Sequence, residues 1–102
     1  MDRRYQTPCG EFEWDTEKAD INHKKHGVTF EQAADAFADP YGLVFYDTAN
    51  SLTEDRFQLL GMSGCSLILF VIFVERGSIR IISARKATRK EARLYDGNRK
   101  NF

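Results

Sequence analysis

The chain has few cysteines and no long apolar segment, and each scarcity excludes a class of protein. Cys9 and Cys65 lie far apart and share no metal-ligand spacing, so we expect neither a disulfide framework nor a zinc motif. The longest nearly continuous apolar run, at 67–74, is far shorter than the roughly 20 residues that span a bilayer. The N-terminus lacks the apolar region of a signal peptide. We therefore expect a cytoplasmic protein with no membrane segment.

The charged residues cancel overall but are unevenly distributed along the chain. Residues 1–75 carry six basic and 13 acidic residues, a net charge of −7, whereas residues 76–102 carry nine basic and two acidic residues, a net charge of +7. A basic segment of this kind indicates a polyanionic partner. The alternative is that the acidic and basic parts face each other within one fold, and charge alone leaves both interpretations open.

The length and the hydrophobic periodicity predict one small α+β domain. We assign residues 1–10 to a flexible N-terminal tail and residues 11–102 to a single domain with one core. Predicted strands cover 11–14, 42–47, 56–63, 66–76 and 79–84, and predicted helices cover 16–27, 29–39 and 88–97. Short connections between the last four strands imply an antiparallel sheet of four strands, or five if the first joins an edge.

Capping signals set the ends of the predicted helices. Thr29 with Gln32, and Thr88 with Glu91, each have the spacing of a capping box. Gly27 is a natural residue to end the first helix, because glycine readily adopts the left-handed conformation found there. The sequence therefore predicts two helices before the long run of strands and one helix after it.

Motifs for cofactor binding and for nucleophilic catalysis are absent. The chain has no G-x-G-x-x-G, no P-loop and no G-x-S-x-G elbow. His23 and His26 share a helix face, but no third ligand accompanies them, so we expect no metal and no cofactor.

What remains is a cationic set on the predicted strands. Its members, with the carboxylates that are near in sequence, are Arg56, Arg76, Arg80, Arg85, Lys86, Glu54 and Glu75. Arginine binds phosphate through two parallel hydrogen bonds and stabilises charge that develops in phosphoryl transfer. Side-chain alternation places Arg80 and Ala84 on one face of the last strand and Ile81 on the other. Such a set fits either an anion site or an inert charged surface.

Four sequence blocks together resemble the BrnT family, the toxins of BrnT–BrnA type II toxin–antitoxin modules. The blocks are FEWDTEKADINHKKHGVTFEQAADAF, VFYD, EDRF and IRIISARKATRKEARLY, and they occur in family order between about residues 12 and 95. The resemblance implies a RelE-like fold with two N-terminal helices and a C-terminal helix. It also implies a metal-independent ribonuclease that inhibits translation and growth until an antitoxin neutralises it.

Carried over by position, the resemblance assigns the candidate site residues. The family's KHG falls on residues 25–27, its E-x-R on residues 54–56, and its ER…RIISAR on residues 75–85. The implied catalytic set is Glu54, Arg56, Arg76, Arg80 and His26, and the implied RNA-binding set is Lys25, Arg85, Lys86 and Arg89. Attack by an RNA 2′-OH needs a base, phosphate-binding cations and an acid. Glu54 or His26 is suited to moving the protons, and Glu75 is a weaker candidate.

The resemblance also implies partners. We expect a BrnA-like antitoxin in a 2:2 heterotetramer, an RNA substrate, and contact with promoter DNA only through the antitoxin. A degenerate toxin, which would bind RNA or protein without cleaving, is the main alternative, and a small metal-dependent enzyme using His23 and His26 is the third. Growth and RNA integrity on expression of the protein alone separate the first two, and metal analysis separates the third.

Overall fold

The computed structural model describes residues 1–101, which form a six-stranded sheet and three helices. The strands are β1 Asp2–Thr7, β2 Gly10–Asp15, β3 Leu43–Tyr46, β4 Phe57–Met62, β5 Ile68–Arg76 and β6 Ser78–Lys86. The helices are α1 Thr16–His26, α2 Phe30–Ala36 and α3 Arg89–Arg99. None of these helices has the length and hydropathy needed to cross a membrane. The α+β class and the two-plus-one arrangement of helices are confirmed.

The sheet is mixed, which corrects the expected antiparallel sheet of four or five strands. Its order is β1-β2-β6-β5-β4-β3. β2 lies parallel to β6, where Phe12 pairs with Ile79 and Glu13 pairs with Arg80. The long stretch of chain between these two strands permits a parallel pairing, which no hairpin could make. The other neighbouring strands pair in antiparallel fashion.

The expected flexible tail contains an edge strand instead. Residues 2–7 form β1, which pairs along the whole length of β2. Tyr5 packs against Trp14 with ring centroids 5.5 Å apart, and Arg3 lies near both rings and bonds Glu31 at 2.8 Å. Because a single aromatic residue anchors an otherwise polar strand, the hydrophobic pattern carries little sign of it.

The capping predictions are confirmed in detail. Thr29 with Gln32 and Thr88 with Glu91 both form reciprocal capping boxes. Gly27 ends α1 with a φ of 70°, in the left-handed region that favours glycine. α2 ends at Ala36, earlier than expected, because the next three N–H groups bond to carbonyls three residues back and tighten the last turn.

Helices α1 and α2 cover one face of the sheet and enclose the core. Large side chains of this core include Phe12, Trp14, Val28, Phe30, Leu59, Leu69, Val71, Phe73 and Ile81. α3 approaches the opposite face, where Leu94 lines a hollow with Leu60 and Phe70. The rest of that opposite face, on β1, β2 and β6, carries the charged residues Asp2, Arg4, Glu13 and Arg80, and we call it the open face.

A bulge in β6 changes which residues share a face. Ile72 pairs with Ser83 and the next residue, Phe73, pairs with Ile81, so Ile82 is an extra residue on β6. As a result Ile81 and Ala84, with 2% and 1% of their surface exposed, both belong to the buried core. The expected alternation, with Arg80 on the face of Ala84, is therefore wrong, because one extra residue reverses it.

Candidate functional site

Charged residues from neighbouring strands line up across the open face. Arg4 pairs with Glu13, Glu13 with Arg80, and Arg80 with Val74. Extending the β4–β5 register by one residue places Arg56 beside Val74. Residues in register on adjacent strands are side-chain neighbours. The fold therefore brings Arg56 and Arg80 to the same end of the sheet.

Glu54 lies among three of the predicted arginines. Its Oε2 accepts a hydrogen bond from Nη2 of Arg76 at 2.5 Å. This bond, together with the charges of Arg76, Arg56 and Arg80, lowers the pKa of Glu54 and outweighs the effect of its partial desolvation. A carboxylate held ionised in this way is a good partner for arginine and a weak base. We call Glu54, Arg56, Arg76 and Arg80 the arginine cluster.

Two carboxylates of this chain hold Arg80. Its two terminal nitrogens donate to the two carboxylate oxygens of Asp2, both at 3.1 Å, and Glu13 lies 3.8 Å away. The hydrogen bonds from Arg80 lower the pKa of Asp2, and the same bonds raise the pKa of Arg80. Only 17% of the Arg80 side chain is exposed.

The sequence gives little sign of these two partners. Asp2 is 78 positions from Arg80 and belongs to no local motif. Glu13 has one signal, since it alternates with the core residues Phe12 and Trp14 and must face away from them.

Arg56 differs from the other arginines of the cluster. Its guanidinium makes no ion pair or hydrogen bond with residues 1–101, although its charge acts on Glu54. It is therefore free to bind an added anion without first releasing a carboxylate of this chain.

The predicted RNA-binding residues on β6 and α3 have different surroundings. Arg85 donates two hydrogen bonds to Glu91, at 2.8 and 3.0 Å, and its guanidinium lies 4.3 Å from the ring centroid of Phe70. The hydrogen bond from Arg85 lowers the pKa of Glu91. Lys86 and Arg89 are exposed, and their side chains have no partner within residues 1–101. Arg85 therefore ties α3 to the sheet, whereas Lys86 and Arg89 point their charges at solvent.

His26 and Lys25 lie apart from the arginine cluster. They end α1 and line a hollow with Ile82 and Ser83, and no arginine of the cluster lines that hollow. The predicted catalytic set is thus divided between the cluster and a separate histidine. In the part of the chain that is described, no group of three or more His, Cys, Asp and Glu side chains is placed to hold a metal ion.

The buried Asn22 joins α1 to β6. Its Nδ2 donates to the carbonyls of Val28 and Ala84 at 3.0 and 2.8 Å, and its Oδ1 accepts from the N–H of Ala84 at 3.1 Å. These bonds set where Lys25 and His26 stand relative to the sheet. The sequence offers one signal for this role of Asn22. Few residues of α1 are apolar, so apolar packing alone is a weak means of holding the helix on the sheet.

The two interpretations of the uneven charge distribution apply to different residues. Arg76 and Arg80 come from the basic segment and pair with the acidic residues Glu54 and Asp2. Charges at Lys86 and at the start of α3 stay unpaired within residues 1–101. The fold therefore neutralises the basic residues Arg76 and Arg80 and leaves positive charge at Lys86 and at the start of α3.

Comparison with known proteins identifies a family. A family model described as the ribonuclease toxin, BrnT, of type II toxin–antitoxin systems matches residues 14–91. The chain is also similar to the 1.1 Å crystal structure of the Brucella abortus ribonuclease toxin, BrnT, at 28% identity and a TM-score of 0.57. This similarity covers 74% of the present chain and 94% of that chain. No curated protein matches. The family match contains the whole arginine cluster and excludes β1.

Proposed function

The chain belongs to the BrnT family of ribonuclease toxins of type II toxin–antitoxin systems, and we propose that it is a metal-independent endoribonuclease that inhibits translation and growth. The observation that supports this proposal is the arginine cluster, in which Arg76 bonds the carboxylate of Glu54 and the charges of Arg56 and Arg80 also act on it. These residues come from the loop before β4 and from β5 and β6, so the fold itself assembles a cationic site. A site of this kind suits the binding of a phosphodiester.

The proposed reaction is attack of an RNA 2′-oxygen on the adjacent phosphorus. The new O2′–P bond forms as the P–O5′ bond breaks, which leaves a 2′,3′-cyclic phosphate and a 5′-hydroxyl end. One group takes the 2′-OH proton and another protonates the leaving O5′. Arg56, Arg76 and Arg80 are assigned to the phosphate oxygens, whose negative charge grows in the transition state.

Two residues are candidates for moving the protons. The lowered pKa of Glu54 makes it a weak base, and its assigned role is to hold Arg76. His26 stands apart from the arginine cluster, so Glu54 is the candidate that lies beside a phosphate held there.

One observation favours a second function, that of a non-catalytic binding module. Arg76 and Arg80 are already paired with carboxylates of the same chain, which leaves less positive charge for a transition state. A toxin of this family that had lost activity would still bind RNA or a protein partner through Arg56, Lys86 and Arg89.

Growth and RNA integrity after expression of the protein alone test both functions. We expect the parent to arrest growth and degrade RNA, and Arg80→Ala to do neither, because a cation at the phosphate is lost. Arg4→Ala is the matched control, since Arg4 lies on the same face, carries the same charge and pairs with Glu11.

Three outcomes of this experiment are informative. Toxicity of Arg80→Ala equal to that of the parent at the same protein level would refute the assignment of Arg80. Growth without RNA damage in the parent would favour the binding module. Thermal unfolding of each purified variant excludes loss of the fold as the cause.

Lys25, Lys86 and Arg89 are proposed to hold the RNA backbone at a distance from the cluster. All three are exposed, and their charges have no partner within residues 1–101. Each lost contact with a single-strand phosphate should reduce the slope of log affinity against log salt by about 0.7. Single alanine variants and salt titrations with one RNA oligonucleotide measure this slope, and unchanged slopes in all three variants would contradict the proposal.

A toxin of a type II system has a cognate antitoxin. We propose a BrnA-like antitoxin in a 2:2 complex in the cytoplasm, which blocks the cluster and binds promoter DNA for the pair. The toxin has no net charge and should bind duplex DNA weakly by itself. Gel shifts on the module's own promoter with toxin, antitoxin and both test this division, and a strong shift by the toxin alone would overturn it.

A further inference from the structure

The N-terminal strand places a carboxylate on a guanidinium that the proposed function assigns to RNA phosphate. Asp2 accepts hydrogen bonds from both terminal nitrogens of Arg80, each at 3.1 Å. Two parallel N–H···O bonds are also the geometry in which arginine holds a phosphate. Asp2 therefore occupies the edge of Arg80 that a phosphate would use.

Further contacts fix Asp2 in this position. The N–H of Thr16 donates to the carbonyl of Met1 at 2.8 Å, directly before Asp2. Arg3, directly after it, bonds Glu31 on α2 at 2.8 Å from the other side of the strand. The residues on both sides of Asp2 are thus anchored to the domain, and these contacts hold the Asp2 carboxylate beside Arg80.

The strand that carries Asp2 lies outside the region that the family model matches. The family match begins at residue 14, whereas the arginine cluster lies inside it. β1 is an edge strand that pairs only with β2, so its release breaks one set of strand contacts. Movement of β1 alone would take Asp2 away from Arg80 and leave the strands of the matched region in place.

We propose that β1 is an autoinhibitory strap in which Asp2, with Glu13 behind it, covers Arg80 as a phosphate mimic. RNA must displace Asp2 before it reaches Arg80, and the strap thereby weakens RNA binding and slows cleavage. This inference rests on the proposed function of the arginine cluster.

The test compares the parent with Asp2→Asn, which keeps the shape of the side chain and removes its charge. The binding probe is an RNA oligonucleotide with 2′-O-methyl groups throughout, which lacks the attacking hydroxyl, and cleavage is followed on the unmodified sequence. Loss of one ion pair of this kind corresponds to about a two- to fivefold change in affinity. We expect Asp2→Asn to bind the probe tighter by that factor and to cleave faster at limiting RNA.

Glu11→Gln is the matched control. It removes the same charge from the same hairpin, but its partner is Arg4 and not Arg80. We expect its affinity and its cleavage rate to stay near those of the parent. Asp2→Ser serves as a second variant if Asp2→Asn lowers the unfolding temperature.

The readouts separate the strap from the proposed function. Affinity of both Asp2 variants equal to or below that of the parent overturns the strap, whatever the cleavage rates are. Tighter binding by the Asp2 variants with no cleavage by any protein supports the strap and overturns the ribonuclease proposal for this chain. An equal gain of affinity in Glu11→Gln shows a general charge effect and also overturns the strap.

Discussion

Replacing Asn22 with alanine should destabilise the protein strongly, although Asn22 contributes no apolar surface to the core. The amide makes three hydrogen bonds, to the carbonyls of Val28 and Ala84 and from the N–H of Ala84. Val28 and Ala84 are buried, with 0% and 1% exposed, so water does not readily replace the lost partner. At about 1 kcal/mol for each bond, the loss is about 3 kcal/mol. Alanine's better helix propensity returns at most about 0.7 kcal/mol.

Urea unfolding measures this change as a lower free energy of unfolding. Ile21→Ala is the control on the same helix, since Ile21 is 62% exposed and should change stability by no more than about 0.5 kcal/mol. Asn22→Asp should also destabilise, because a carboxylate accepts from Ala84 but cannot donate to either carbonyl. A loss below about 1 kcal/mol for Asn22→Ala would refute the account of how α1 is held on β6.

Three further predictions concern the packing of α3. Tyr95→Phe removes the hydrogen bond to the Asp39 carboxylate, at 2.5 Å. Urea unfolding should show a free energy of unfolding that is lower by about 1.5–3 kcal/mol. An unchanged unfolding midpoint would argue against that bond. Burial and the bond to Asp39 raise the pKa of Tyr95 from 10.0 to about 12. The stability that neutral Tyr95 contributes is therefore full below pH 10 and lost as pH rises through about 12. A spectrophotometric titration should show one phenol that ionises late in the parent and is missing in Tyr95→Phe. Glu91 has a pKa lowered from 4.5 by the hydrogen bond from Arg85, so its contribution is full above pH 4.5 and lost as pH falls through the lower folded value. Arg85→Ala should flatten this acid dependence of stability, and an equally steep dependence in the variant would contradict the assignment.

Local signals in the sequence predicted most of the elements correctly. The capping boxes at Thr29 and Thr88, and the stop at Gly27, depend on residues within one turn of each other. Such signals are readable because the interacting groups are close in sequence. The same holds for the four strands from β3 to β6, each of which pairs with the next strand along the chain.

The features that the sequence did not reveal depend on distant residues or on one extra residue. Nothing in the pattern of β2 indicates that it pairs in parallel with β6. The bulge at Ile82 leaves the composition of β6 unchanged while it reverses the faces of the residues beyond it. The contact of Asp2 with Arg80 needs β1, β2 and β6 all in register, so it appears only in three dimensions. The resemblance to a family predicted the members of the arginine cluster, but not which of them are already paired.

Metal-independent cleavage of RNA by this member of the BrnT family can be read from the ends of the products. The purified protein is incubated in excess EDTA with an RNA oligonucleotide and, separately, with its 2′-O-methyl form. The proposed mechanism predicts cleavage of the RNA alone, with 2′,3′-cyclic phosphate and 5′-hydroxyl ends, and loss of cleavage in Arg80→Ala. Cleavage of the 2′-O-methyl form, or cleavage of RNA only after a divalent metal is added, would contradict it.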